Sequence, residues 1–323
     1  MKPDIKPVSL IKPLSPAIER AKQMLFQPFD LGRWFTIGFC AWLSALGQTG
    51  SNLSFPDILR YRQGNSDPHR LSDIREFIMA HLSWLIIAAV VVVLFLIAMK
   101  VLLLWLNSRG RFMFLDCVAQ NKAYVKFPWA KFRSHANSLF FFRLAIMVIF
   151  TVSVCILSAL ILLVILVITK TNTPFVAPGI ALIFLLSVLA AFIIVAFSLI
   201  NVFTCDFVVP IMYISNVTCT GAWEQFWPLL RQNKNKFMTY LLFQLLIALC
   251  LGAIASAVCC VFFCLTCGIV ACLAVIPVFG FAAAYILHVL LLPLSVFRRS
   301  YSLYYLQQYN PKLSVFAEAS QCS

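Results

Sequence analysis

The chain has 323 residues, of which 62% are hydrophobic and only 11% are charged. A soluble domain carries about 25% charged residues, so this chain cannot cover itself with polar surface and reads as an integral membrane protein. Its net charge of +14 does not point to nucleic acid, because the basic residues flank apolar runs, as in segments held against an anionic leaflet.

Residues 1–14, "MKPDIKPVSLIKPL", are basic and rich in proline. Proline disfavours helix, so this is expected to be an extended arm, with no cleaved signal peptide. A crossing helix needs about 20 apolar residues. Trp34–Gly47 is the weakest candidate and needs its flanks to reach that length. The second is Leu82–Leu106, with Lys100 its one charge, and the third is Leu144–Thr169, with none. The fourth lies within Thr171–Cys205. From Phe237 to Phe297 no Asp, Glu, Lys or Arg occurs, which is room for two spans around a turn at "CLTCG", 264–268.

The expected fold is therefore an all-α integral membrane protein with six transmembrane helices in three hairpins. A barrel would instead show short alternating strands. Basic residues concentrate in the arm, in the second and fourth interspan loops and in the tail, which puts both termini in the cytoplasm.

A repeated unit accompanies the hairpins. "WAKFRSHANSLF" (129–140) matches "WPLLRQNKNKFM" (227–238), with Trp129 opposite Trp227 and Arg133 opposite Arg231. Trp223, Phe226, Trp227 and Leu230 share one helix face. That predicts a cytoplasmic interfacial amphipathic helix before each hairpin, with Trp129, Arg133, Trp223, Trp227 and Arg231 contacting lipid; a loop helix packed on its neighbours is the other reading. The units run over about 15–110, 111–210 and 211–297. Together they make one transmembrane domain, 15–297, followed by a cytoplasmic tail, 298–323. In that tail Tyr301, Tyr304 and Tyr305 read as interfacial belt residues.

"PFDLGRWFTIGFCAWL" (28–43), "DFVVPIMY" (206–213) and "AWEQFWPLLRQNKNKFMTYLLF" (222–243) resemble an uncharacterised family of prokaryotic multi-span proteins of unknown function. That family is similar, more distantly, to the membrane domain fused to some glycerophosphodiester phosphodiesterases. The resemblance implies a helical bundle in a prokaryotic cytoplasmic (inner) membrane and no activity. The phosphodiesterase domain itself has no counterpart here.

Chemistry-bearing residues are few. Asp206 lies near the cytoplasmic end of the fourth span, either as a locally paired boundary residue or as a buried ion or proton site. Pro210, four residues on, is expected to end or kink the span. Asp116 and Glu224 are the other acids that a head-group enzyme would need. His288 is the one histidine in a span, read either as bonded to Tyr285 or a carbonyl, or as a ligand or proton relay. Cys264 and Cys267 form a CxxC with three readings: apolar filler, a redox pair, or, with Cys260, a soft-metal site. No cofactor motif occurs.

The function expected first is that of a non-enzymatic inner-membrane protein, a scaffold binding a protein partner or a lipid-interacting protein in contact with anionic phospholipids of the cytoplasmic leaflet. The alternatives are a small-molecule or ion transporter or channel, and an enzyme acting on lipid head groups.

Overall fold

The computed structural model describes residues 9–46, 81–171, 176–265, 277–309 and 315–316. Among them every regular element is helical, and no strand occurs. The elements are α1 (Leu14–Phe26), α2 (Leu31–Ala45), α3 (Leu82–Gln120), α4 (Lys126–Lys131), α5 (Arg133–Thr171), α6 (Val176–Phe203), a π-helical turn (Thr204–Val208), α7 (Val209–Ser215), α8 (Cys219–Gln232), α9 (Lys234–Leu265), α10 (Pro277–Leu290) and α11 (Leu292–Gln307).

Four helical stretches are long and apolar enough to cross a membrane: α3, α5, α6 continued through α7, and α9. The pair α10 and α11, bent by 62° at Leu291, qualifies as a fifth when counted together. The first expected span is not among them. Its helix, α2, has 15 residues, or ~22 Å at about 1.5 Å per residue, against a hydrocarbon core of about 30 Å. The preceding flank, Met24–Gly32, does not lengthen it, because α1 ends at Phe26 and α2 starts at Leu31; the following flank lies outside the described residues, as does most of the "CLTCG" turn.

Burial divides these helices along their length. In α3, Val90 to Phe95 are more than half exposed, whereas Phe112 to Val118 are almost wholly enclosed. In α5 the change falls between Leu139 (0%) and Val148 (51%), and in α6 between Val195 (55%) and Phe207 (0%) in the turn that follows. Only 0%, 6%, 0% and 11% of the most apolar windows of the four long stretches is buried. Neighbours still touch there, as α5 and α6 do where the Phe150 and Phe197 rings lie 5.1 Å apart, but most of each window is left to the surroundings, as expected where lipid tails are as apolar as the side chains.

The other ends of the helices gather into one cluster with α1, α2, α8 and α11. Its centre is aromatic. Phe207 stacks on Phe226 with centroids 5.3 Å apart, and Tyr240 on Tyr305 at 4.5 Å. Tyr301 and Tyr305 are wholly buried there, so they are core residues and not an interfacial belt. Their phenols reach Leu10 O and Lys236 O, each at 3.2 Å, which satisfies the polar end of an otherwise apolar payload.

Local sequence explains the assembly. Gly110 lets α3 touch α2: a Cβ there would lie 2.6 Å from the backbone of Leu43 and Ser44. The C-terminus of α3 is capped from α1, because the Arg20 guanidinium donates to Val118 O at 2.9 Å and Ala119 O at 2.7 Å. Burial lowers the pKa of that guanidinium. Helix α8 starts at Thr218, whose hydroxyl accepts from Gly221 N. Cys219, Ala222 and Phe226 line its buried face. The expected aromatic stripe is thus divided: Phe226 points into the core, Trp223 is half-buried and Trp227 is 55% exposed. In the matched segment Trp129 sits three residues before the break at Phe132, whereas Trp227 sits six before the break at Asn233.

Candidate functional site

The stretch "NVFTCDFVVPIM" neither ends nor kinks its helix. It widens it. Pro210 has no N–H, and its ring crowds the carbonyl four residues back, so the chain makes one π turn in which Val209 N–H donates to Thr204 O. Such turns are frequent at functional sites. The Cys205 carbonyl therefore loses its helical donor, since Val209 is engaged with Thr204 and Pro210 has nothing to donate. Arg299 of α11 takes it, donating from Nη1 at 2.6 Å.

The π turn also aims Asp206 and Phe207 in different directions. Phe207 enters the aromatic core. Asp206, 8% exposed, borders a cavity of about 600 Å³. Its Oδ2 accepts from Tyr240 Oη at 3.2 Å.

The cavity is basic. Arg111 of α3, Arg143 of α5 and Arg298 and Arg299 of α11 line it, with Asp206 the one carboxylate among the described lining residues. Four guanidiniums and one carboxylate leave a formal +3 (4 − 1) with His288 neutral. It lies where α3, α5 and α6 pass from enclosed to exposed.

Asn107 organises the arginines. It is 1% exposed, and its Nδ2 donates to Ser44 O at 2.5 Å and Leu46 O at 2.7 Å. Two carbonyls can only accept, so the amide orientation is fixed and Oδ1 is turned towards the arginines. There it accepts from Arg111 Nε at 2.9 Å and from Arg143 Nη1. Arg111 Nη1 also meets the Cys205 thiol, whereas its Nη2 is buried without a partner among the described residues. Arg111 is 7% exposed, and among the described residues Arg111, Arg143 and Arg299 hydrogen-bond neutral oxygen and sulfur and no carboxylate. The arrangement suits an oxyanion that can accept paired hydrogen bonds from a planar guanidinium, such as phosphate.

His288 borders the same cavity. Its Nδ1 lies 2.8 Å from Ala284 O, and since a carbonyl cannot donate, Nδ1 carries the proton and Nε2 is the free nitrogen. Tyr285 donates instead to Phe35 O.

The remaining expected residues lie elsewhere. Asp116 is 4% exposed and accepts from Tyr213 Oη at 2.8 Å and Gln120 Nε2 at 3.0 Å. Glu224 is exposed on α8. Neither lines the cavity with Asp206, so the three acids do not form one acid–base site there. Trp129 holds the Arg109 guanidinium against Trp105, 4.8 and 4.7 Å from the two rings. Arg133 and Arg231 are exposed. Cys264 is an exposed free thiol near the end of α9, and Cys267 lies outside the described residues. Among the described residues no group of three His, Cys, Asp or Glu could hold a metal ion.

Sequence reasoning overlooked the arginine convergence. Arg143 reads as a residue reaching for the interface, and Arg298–Arg299 as the start of a tail. The available signal was confined to Arg143, which lies within the apolar stretch Leu139–Ile149, whereas Arg111 and Arg299 have polar neighbours in the chain.

No curated protein and no solved structure matches the chain, and nothing supports the distant likeness to the phosphodiesterase-fused membrane domain. One family model does match, over residues 8–316, and the chain belongs to that family, a family of unknown function designated DUF7544.

Proposed function

We propose that this is a non-enzymatic, lipid-interacting membrane protein that holds the anionic head group of a phospholipid in its arginine cavity. The observation that carries the reading is the position of four arginines where packed core gives way to exposed apolar helix. A phosphate there meets charge-assisted donors, and its acyl chains lie along exposed apolar helix surface. Basic pockets between membrane helices are suited to such head groups. The distribution of Lys and Arg supports a cytoplasmic position for this end, and with it the inner leaflet of a prokaryotic cytoplasmic membrane. On this reading residues beyond α2 complete a first span, giving six. The short helices α1, α4 and α8 lie near the interface, with Trp227 and Arg231 towards lipid.

Native mass spectrometry of the full chain, extracted gently with its own lipids, tests this. One retained anionic phospholipid per chain, lost in Arg111→Gln/Arg143→Gln, is the expected result. No retained lipid, or equal retention in the double variant, overturns it. A small soluble anion in its place favours the transport reading, for which Asn201 and His288 in the same cavity are the supporting observation.

A further inference from the structure

The cavity holds opposite charges that feel each other but are hydrogen-bonded to neutral partners and not to one another. Each arginine whose partners are resolved is tied to a neutral acceptor: Arg111 and Arg143 to Asn107 Oδ1, and Arg299 to the Cys205 carbonyl. Asp206 is tied to a neutral donor, the Tyr240 hydroxyl, through Oδ2 alone. Its Oδ1 has no hydrogen-bond donor among the described residues, and Asp206 lines the cavity. An aspartate whose only task was to balance the arginines would pair with one of them, as guanidinium and carboxylate do readily. Here Arg299 passes it over for a backbone oxygen.

We infer that Asp206 is a specificity-determining residue, selecting a phosphodiester head group that also carries free hydroxyls. This rests on the head-group reading above. The arginines take the phosphate and Asp206 Oδ1 accepts from a hydroxyl of the same head group. Size agrees. At about 30 Å³ per water-sized group, a phosphate alone occupies a minor part of a cavity of about 600 Å³, and a polyol fills more of it. Charge selects between the two common donors: an ammonium beside four guanidiniums is repelled, whereas a hydroxyl is not. A site built to receive a hydroxyl rejects the analogue lacking it, because its own acceptor is then left unpaired.

The test compares two lipids of equal charge. Full-length protein, delipidated in mild detergent, is titrated with phosphatidylglycerol and with phosphatidylethanol, a diester with no hydroxyl, and bound lipid is counted by native mass spectrometry. About tenfold preference for phosphatidylglycerol is expected, falling to less than about twofold in Asp206→Ala, which removes the acceptor, with binding of phosphatidylethanol retained. Equal binding of both lipids by the wild-type chain overturns the selectivity and leaves the head-group reading standing. Binding of neither overturns the head-group reading itself. Preference that persists in Asp206→Ala overturns the assignment to Asp206. The wild-type comparison needs no variant, so it decides even if that substitution prevents folding.

Discussion

Replacing Asn107 with alanine removes four hydrogen bonds at one point. Two join α2 to α3 through the carbonyls of Ser44 and Leu46, and two orient the guanidiniums of Arg111 and Arg143. At about 1 kcal/mol for each neutral bond and about 2 kcal/mol for each charged one, the sum is ~6 kcal/mol. Water entering from the cavity can re-solvate the guanidiniums, which roughly halves the loss to ~3 kcal/mol. For a chain of this size each kcal/mol moves Tm by about 2–4 °C. Asn107→Ala should therefore melt about 6–12 °C below wild type, read by differential scanning fluorimetry in one detergent. Asn107→Asp keeps an acceptor for the arginines but turns its second oxygen onto two carbonyls, so it should lose stability too, and its added charge should weaken phospholipid retention. A melting point for Asn107→Ala within about 2 °C of wild type would refute the idea that this amide braces the site.

Two further outcomes follow from the same geometry. Cys205 is partly exposed beside Arg111 and Arg299, so an anionic methanethiosulfonate should modify it at least tenfold faster than a cationic one, with the ratio shrinking as salt rises. The difference should vanish in Cys205→Ser. Cys219 should not contribute, because it is enclosed and burial pushes its thiol up to about 12, leaving it protonated at pH 8. Gly110→Ala should destabilise by about 1–3 kcal/mol, seen as a lower melting point, since its Cβ meets backbone at 2.6 Å. Gly252→Ala in α9, where nothing lies within 4 Å, should be neutral or slightly stabilising.

The class of the fold was legible because a bilayer leaves few solutions. Uncharged runs such as Leu144–Thr169 can only be helices in lipid. The packed end was less legible. Tyr301 and Tyr305 follow a pair of arginines, and an aromatic beside basic residues is as common at an interface as in a core with a polar edge. Only the neighbours from α9 decide between them. Pro210 announced a disturbance, but proline can stop, bend or widen a helix, and the outcome depends on whether another element supplies the missing donor, here Arg299. The arginine site was invisible for a plainer reason. Arg111, Arg143 and Arg299 lie on three helices far apart in the chain, and no spacing rule links them. Asp206 drew notice as a charge beside an apolar run, yet its surroundings come from α3, α5, α9 and α11.

The long apolar helices meet the packed end much as the legs of a stool meet its seat. Because so little of their apolar windows is enclosed by protein, the helices, with α5 and α6 joined as a pair through Phe150 and Phe197, can change their tilt in a bilayer while most of their apolar surface stays free. Tilting is the ordinary answer to a mismatch between helix length and membrane thickness. A thinner or thicker membrane would then splay or straighten the legs while the seat keeps its shape. The arginines sit at that joint, so the spacing of the guanidiniums from α3, α5 and α11 would register the thickness of the surrounding membrane.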